Sequence, residues 1–170
     1  TPEVDYQLAQ LQIASDASDQ ARSSLEAALA KKANYTAAIL LLAQIDLDEG
    51  NLKDAIESVR AAVFFEPQNS VLLYQLGILL LQDKNYEQAA AAFELSLQNQ
   101  PDYANAAFFL AQSYAFLDRT EDAIPLMQEL KRTNPENEIV GSYLEALEAG
   151  ENPFNPKEIA SPEEDSEEIQ

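Results

Sequence analysis

The sequence predicts an all-α fold in which helix–turn–helix units stack one upon the next. Three observations carry this reading. Ala, Leu, Gln and Glu dominate a chain of 170 residues with only 4 Gly, a composition that favours helix over strand. Pro67, Pro101 and Pro135 stand at equal steps of 34 residues (67 to 101, then 101 to 135), a period that stacked helical pairs produce. Written in that period, the chain aligns small and apolar residues column by column.

The columns predict four repeats, at about 2–35, 36–69, 70–103 and 104–137. In the third, Leu73, Leu76, Gly77 and Leu80 share one face of a first helix, and Ala89 and Phe93 share a face of the second. The fourth places Ala107, Leu110, Ala111, Tyr114, Ala123 and Met127 at the same offsets, and the second places Ile39, Leu42, Ala43, Asp46, Ala55 and Val59 there. The first repeat is degraded: Leu8, Ala9, Ala21, Leu25 and Ala28 fit, but Asp5 is polar and Ala33 stands where the others have proline. Glycine inside a helix costs about 1 kcal/mol relative to alanine, so Gly77 is read as a demand of close packing. Ala89 is expected at an equally tight contact. Asn51, Asn85 and Thr120 precede second helices and read as N-caps. Each proline falls where a second helix must stop. Pro125 breaks the pattern: it lies inside a second helix and is expected to shift the start of that helix or bend it.

A shorter amphipathic stretch at 138–149, with Ile139, Val140, Tyr143, Leu144 and Leu147 at helical spacing, is expected to cap the array. Residues 151–170 carry seven acids against one Lys and read as a disordered acidic tail or linker. Deleting them is expected to leave stability unchanged. The chain opens at Thr1 rather than Met, as expected of a piece of a longer polypeptide. No basic region followed by an apolar stretch opens it, so no secretory leader is expected within it.

Across residues 2–137 the period, the small-residue columns and the prolines together resemble the tetratricopeptide repeat family. The resemblance implies a right-handed superhelical solenoid with a C-terminal capping helix, acting as a scaffold for a partner polypeptide. A weaker resemblance, carried by segments such as "LLYQLGILLLQDKNYEQAAAAFELSLQNQPDYANAAFFLAQSYAFL" and "NPENEIVGSYLEALEAG", is to the C-terminal repeat regions of bacterial O-antigen-ligase-like membrane proteins. It implies a domain tethered to a bacterial membrane protein, with the enzyme or transporter upstream.

Composition removes most chemistry. The chain has no His and no Cys, which excludes thiolate zinc sites, cysteine nucleophiles and histidine-based triads. No glycine-rich phosphate loop and no Gly-x-Ser-x-Gly elbow occurs. Acidic groups such as Asp46, Asp48 and Glu49 read as solvated helix ends, since no bidentate Glu follows at the offset a calcium loop needs. No catalytic residue, metal or cofactor is expected. The 30 acids against 10 bases, a net charge of −20, oppose nucleic acid and anionic lipid. No apolar run approaches the ~20 residues of a membrane-spanning helix.

The family resemblance implies a concave groove lined by the first helix of each repeat. Its fifth position is held by Tyr6, Leu40, Tyr74 and Phe108, and its ninth by Gln10, Gln44, Ile78 and Gln112. Gln75 and Phe109 come from the sixth position, and Phe116 from the thirteenth. The groove is therefore expected to be aromatic and aliphatic with a ladder of amides, suited to a protein or peptide with an apolar segment. Packing between neighbouring repeats is the competing role, above all for Leu40. The Lys and Arg residues that grip carboxylates in chaperone-binding members are missing from these positions. Two other readings stand beside the scaffold: self-assembly through uncovered end faces, and an accessory lobe of a larger bacterial membrane enzyme or transporter.

Overall fold

A computed structural model describes residues 1–154. Among them are nine α-helices and no strand. They are α1 (Pro2–Ala14), α2 (Ser18–Lys31), α3 (Thr36–Asp48), α4 (Leu52–Phe65), α5 (Ser70–Gln82), α6 (Tyr86–Asn99), α7 (Ala104–Phe116), α8 (Thr120–Thr133) and α9 (Glu138–Glu148). First helices begin at 2, 36, 70, 104 and 138, and second helices at 18, 52, 86 and 120, so every step is 34 residues. The expected period is the observed one. The chain divides into two compact units, Thr1–Pro101 with α1 to α6, and the part from Asp102 onward with α7 to α9.

The turn inside each repeat is built from backbone rather than from a glycine signature. Asp16, Gly50, Lys84 and Asp118 occupy the same place and all have positive φ, between 56° and 81°. In the third repeat Lys84 N–H donates to Leu81 O at 3.0 Å and Asn85 N–H to Leu80 O at 2.8 Å. This is the paired Schellman closure of a helix C-terminus, which favours a left-handed residue and usually glycine. Only the second repeat has one. Lys84 carries a Cβ in a conformation that opposes it. Lys84→Gly is therefore expected to stabilise the chain by up to about 1 kcal/mol, read as a higher midpoint in urea with an unchanged slope.

The N-caps correct the sequence reading in part. Asn85 caps α6 by accepting from Gln88 N–H at 3.4 Å. Asn51 holds the cap position of α4, but its side chain makes no capping bond. Thr120 is the first residue of α8 and Arg119 holds the cap, because the helix starts in step with the other second helices. Pro125, expected to displace that start or bend the helix, leaves the start in place and lies on the exposed side of a continuous α8. Solvent there can satisfy the carbonyl that the missing N–H leaves free.

Small residues set the helix spacing. Ala9, Ala21, Ala55, Ala89, Ala111 and Ala123 are all fully buried. A Cβ on Gly77 would lie 2.5 Å from Phe93 Cε1, closer than any real contact, so α5 and α6 meet where only glycine fits. Phe93 is itself fully buried, and Tyr74 tilts against it at a ring distance of 5.9 Å. In the first unit Ala9, Ala21, Leu25, Ala28, Ala38 and Ile45 form one core, and Ile39, Ala62 and Leu72 another. The second unit packs around Ala111, Ala115, Met127, Leu130, Val140 and Leu147.

One residue of that last core lies beyond the expected array boundary at 150. Phe154 is only 8% exposed and belongs to the same cluster. Residues 151–170 are expected as a disordered tail with little to bury besides Phe154 and Ile159, and Phe154 is found packed into this core. An aromatic side chain gains enough by burial to order a short segment that its acidic surroundings alone would leave in solvent. The remainder of the expected tail lies outside the described residues.

Candidate functional site

Charge is sorted by helix. α5 and α7 contain no charged residue, and α1, α3 and α9 contain no Lys or Arg. In a chain of net charge −20 this leaves the first helices of the third and fourth repeats as its most neutral surfaces. Among the described residues the cations sit on second helices and turns, as with Arg22, Lys53, Arg60, Lys131 and Arg132.

The eleven residues expected to line a groove differ in how far they are free to do so. In the first unit Gln10 and Gln44 are exposed, but each amide is partly engaged. Gln10 Nε2 donates to Tyr6 Oη at 3.2 Å, and Gln44 Nε2 donates to Asp48 Oδ1 at 2.9 Å. Tyr6 is half-buried, with its ring 5.4 Å from that of Tyr35. Leu40 packs on the core of Ile39, Ala62 and Leu72, so the packing role expected for it is present. Tyr74 and Ile78 are half-buried along α5. Gln75 turns its carbonyl inward, where Oε1 is buried without a hydrogen-bond partner. The carbonyl of Gln75 thus faces away from the amide ladder expected of it.

In the second unit Phe108, Phe109, Gln112 and Phe116 are all half-buried on α7. Phe108 meets Phe109 edge-on at 5.5 Å and Tyr143 of α9 at 5.9 Å with a tilt of 31°. The ring of Phe154 stands edge-on against both, 5.6 Å from Phe108 and 5.0 Å from Tyr143. Phe108 is therefore partly covered by the chain itself. Asn152 holds the covering segment. Its Nδ2 donates to Ala115 O at the end of α7 at 3.0 Å, and its Oδ1 accepts from Phe154 N–H at 3.1 Å.

A second arrangement also escaped the sequence reading. Asp46, expected to be a solvated helix end, is 3% exposed. Arg22 of α2 reaches across to it, Nη1 to Oδ1 at 2.7 Å, and its Nη2 meets Glu49 at 2.8 Å. The bond to Asp46, more than the one to Glu49, raises the Arg22 pKa above its ordinary value. Arg22 stands in the column of Ile56, Ala90 and Ile124, and Asp46 in that of Leu80 and Tyr114. Two polar residues thus replace an apolar pair at one junction. The column mismatch was the available signal. Among the described residues no three His, Cys, Asp or Glu side chains form a metal-binding group, and no helix is long and apolar enough to cross a membrane.

The comparisons agree with this architecture. The tetratricopeptide repeat family profile matches residues 12–76 and 80–147, most of the chain, and the chain belongs to that family. Among solved structures it is similar to MamA of Desulfovibrio magneticus RS-1, with a TM-score of 0.76 and 18% identity over 88% of this chain and 84% of that one. It is also similar to PilF of Pseudomonas aeruginosa, with a TM-score of 0.70 and 21% identity over 88% and 68%. At such identities the likeness is one of fold. Among curated proteins, 70 residues are 29% identical to the protein O-mannosyl-transferase Tmtc3 of Drosophila melanogaster, covering 41% of this chain and 8% of that protein. A stretch of 78 residues is 28% identical to ypp1 of Schizosaccharomyces pombe, a protein named for cargo transport, covering 46% and 9%. The chain thus spans less than a tenth of the length of these relatives.

Proposed function

We propose that this repeat protein is a non-catalytic scaffold that binds a partner polypeptide through an apolar segment on the faces of its first helices. The observation that carries the reading is the absence of charge from α5 and α7 in a chain otherwise dense with acid. A peptide laid there meets aromatic and aliphatic side chains and neutral amides, and it desolvates no unpaired ion. Tyr74 and Ile78 serve the first unit, and Phe109, Gln112 and Phe116 the second. The short matches within Tmtc3 and ypp1 support a further part of the proposal, that the array serves as an accessory lobe of a larger protein.

Apolar burial responds little to salt, whereas charge steering is screened over about 8–10 Å. Titration calorimetry against a peptide recovered from pull-downs is therefore expected to give similar affinity at low salt and at ~0.5 M NaCl. Tyr74→Ala is expected to cost about 1–3 kcal/mol of binding. Affinity that collapses with salt and ignores Tyr74→Ala would place the partner on the charged surface outside α5 and α7 instead.

One observation favours self-assembly as a second reading. Val4, Leu8 and Leu11 of α1 are 58%, 46% and 68% exposed. The same columns hold Leu72, Leu76 and Leu79 in α5, all buried. The described surface of α9 differs from that of α1, with Glu138, Ser142, Glu145 and Glu148 exposed beside Ile139. Pairing would therefore be two-fold, α1 on α1. Sedimentation at rising salt distinguishes the two readings, since a dimer of such acidic chains strengthens as repulsion is screened and is lost in Leu8→Glu.

A further inference from the structure

We propose that Phe108 and Tyr143 form an aromatic slot that belongs to the binding surface, and that Asn152-Pro153-Phe154 fills it as an internal ligand. The slot suits a partner segment of the same chemistry, an aromatic side chain two residues after an Asn or Asp. This rests on the scaffold reading above and specifies it for the second unit.

The geometry is that of a bound peptide. Asn152, Pro153 and Phe154 follow α9 outside any helix. They are held to α7 by one ring and one amide. The ring is Phe154, edge-on to Phe108 at 77° and to Tyr143 at 88°, the orientation that sets a positive ring edge on a negative ring face. The amide is Asn152. It donates to Ala115 O in the last turn of α7, a carbonyl that also accepts from Asp118 N–H at 3.3 Å, and so ties the segment to the end of that helix. Its acceptance of Phe154 N–H folds the segment into an Asx turn that aims the ring at the slot. Pro153 between them narrows the backbone further and lowers the entropy lost on docking. Phe108 holds the helix position at which Tyr6, Leu40 and Tyr74 stand in the other repeats, so the segment covers a place expected to face a partner.

Tethering makes the competition strong. A segment joined to its own site acts at an effective concentration of millimolar order. A partner at micromolar concentration must then either bind much more tightly or wait for the segment to leave. The slot is closed in the free chain and opens by displacement.

The test uses the full chain and a labelled peptide of residues 150–156, followed by fluorescence anisotropy. Phe154→Ala empties the slot and is expected to bind the peptide at least tenfold more tightly than the parent chain. A peptide with alanine in place of its phenylalanine is expected to bind neither. Adding Phe108→Ala to Phe154→Ala is expected to abolish binding. Because Phe154 also helps to fill a core, Asn152→Ala serves as a second variant: it keeps the ring, releases the clamp, and is expected to raise peptide binding while the chain still melts cooperatively. Equal binding by parent and variants, or no binding to any of them up to millimolar peptide, overturns the proposal and leaves Phe154 as a core residue. Exchange of the segment between two copies, seen as a dimer in the parent and a monomer in Phe154→Ala, would also overturn it. Failure here with a partner that still depends on Tyr74 leaves the scaffold reading standing. A partner indifferent to both Tyr74→Ala and Phe154→Ala removes the scaffold reading while the slot remains.

Discussion

Phe93→Ala is expected to lower stability by about 3–5 kcal/mol, the range for emptying a fully buried aromatic position. Phe93 fills the gap between α5 and α6 and lies directly against the Cα of Gly77. The reverse change is informative because two effects oppose each other. Gly77→Ala gains about 1 kcal/mol of helix propensity, yet its methyl would stand 2.5 Å from the Phe93 ring. Overpacking of this kind costs about 1–3 kcal/mol, so a net loss is expected. In the double variant the methyl enters the hole left by the ring. The two losses should therefore add to less than their sum, with a coupling well beyond the ~0.5 kcal/mol seen for independent sites. Urea denaturation of the four proteins measures it. Strict additivity would mean that the two residues do not meet.

Arg22→Ala is expected to cost about 2–3 kcal/mol. Breaking a fully buried ion pair from one side costs about 3–5 kcal/mol, because the remaining charge is left unsolvated. Asp46 fits that description with 5% of its side chain exposed, but Arg22 is 28% exposed and water screens part of the effect. The paired replacement Arg22→Ile with Asp46→Leu is expected to restore parental stability or exceed it. It returns this junction to the residues found at the corresponding places, Ile56 and Leu80, and an apolar pair of similar volume has no desolvation to offset. Thermal melts of the parent, both single variants and the pair test this. A double variant as unstable as Arg22→Ala would mean that the ion pair stabilises the junction on its own account.

Each first helix and each second helix starts on the 34-residue step, and the tight contact at Gly77 and the fully buried Ala89 lie where the columns place them. These features are legible because a helical repeat writes the same packing problem several times. The same small residue then recurs at the same offset, and local pattern stands for local contact. The left-handed turn residues were not legible: Asp16, Lys84 and Asp118 have no glycine to mark them, and the Schellman bonds hold them there. The candidate site shows the same division. The neutral faces of α5 and α7 could be read from composition along a helix. The burial of Gln75 Oε1 and the covering of Phe108 could not.

The amino-acid sequence by itself determined the period, the helix order and the absence of Lys and Arg from the first helices, since each depends on residues a few positions apart. Only the tertiary structure decided where Arg22 and Phe154 go. Arg22 is an ordinary surface cation until the stacking of the second repeat brings Asp46 to within 2.7 Å. Phe154 is one apolar residue in an acidic stretch until α7 and α9 set Phe108 and Tyr143 beside it. Both gain their energy from groups far away along the chain, and no local preference records a partner that arrives only when the helices have packed.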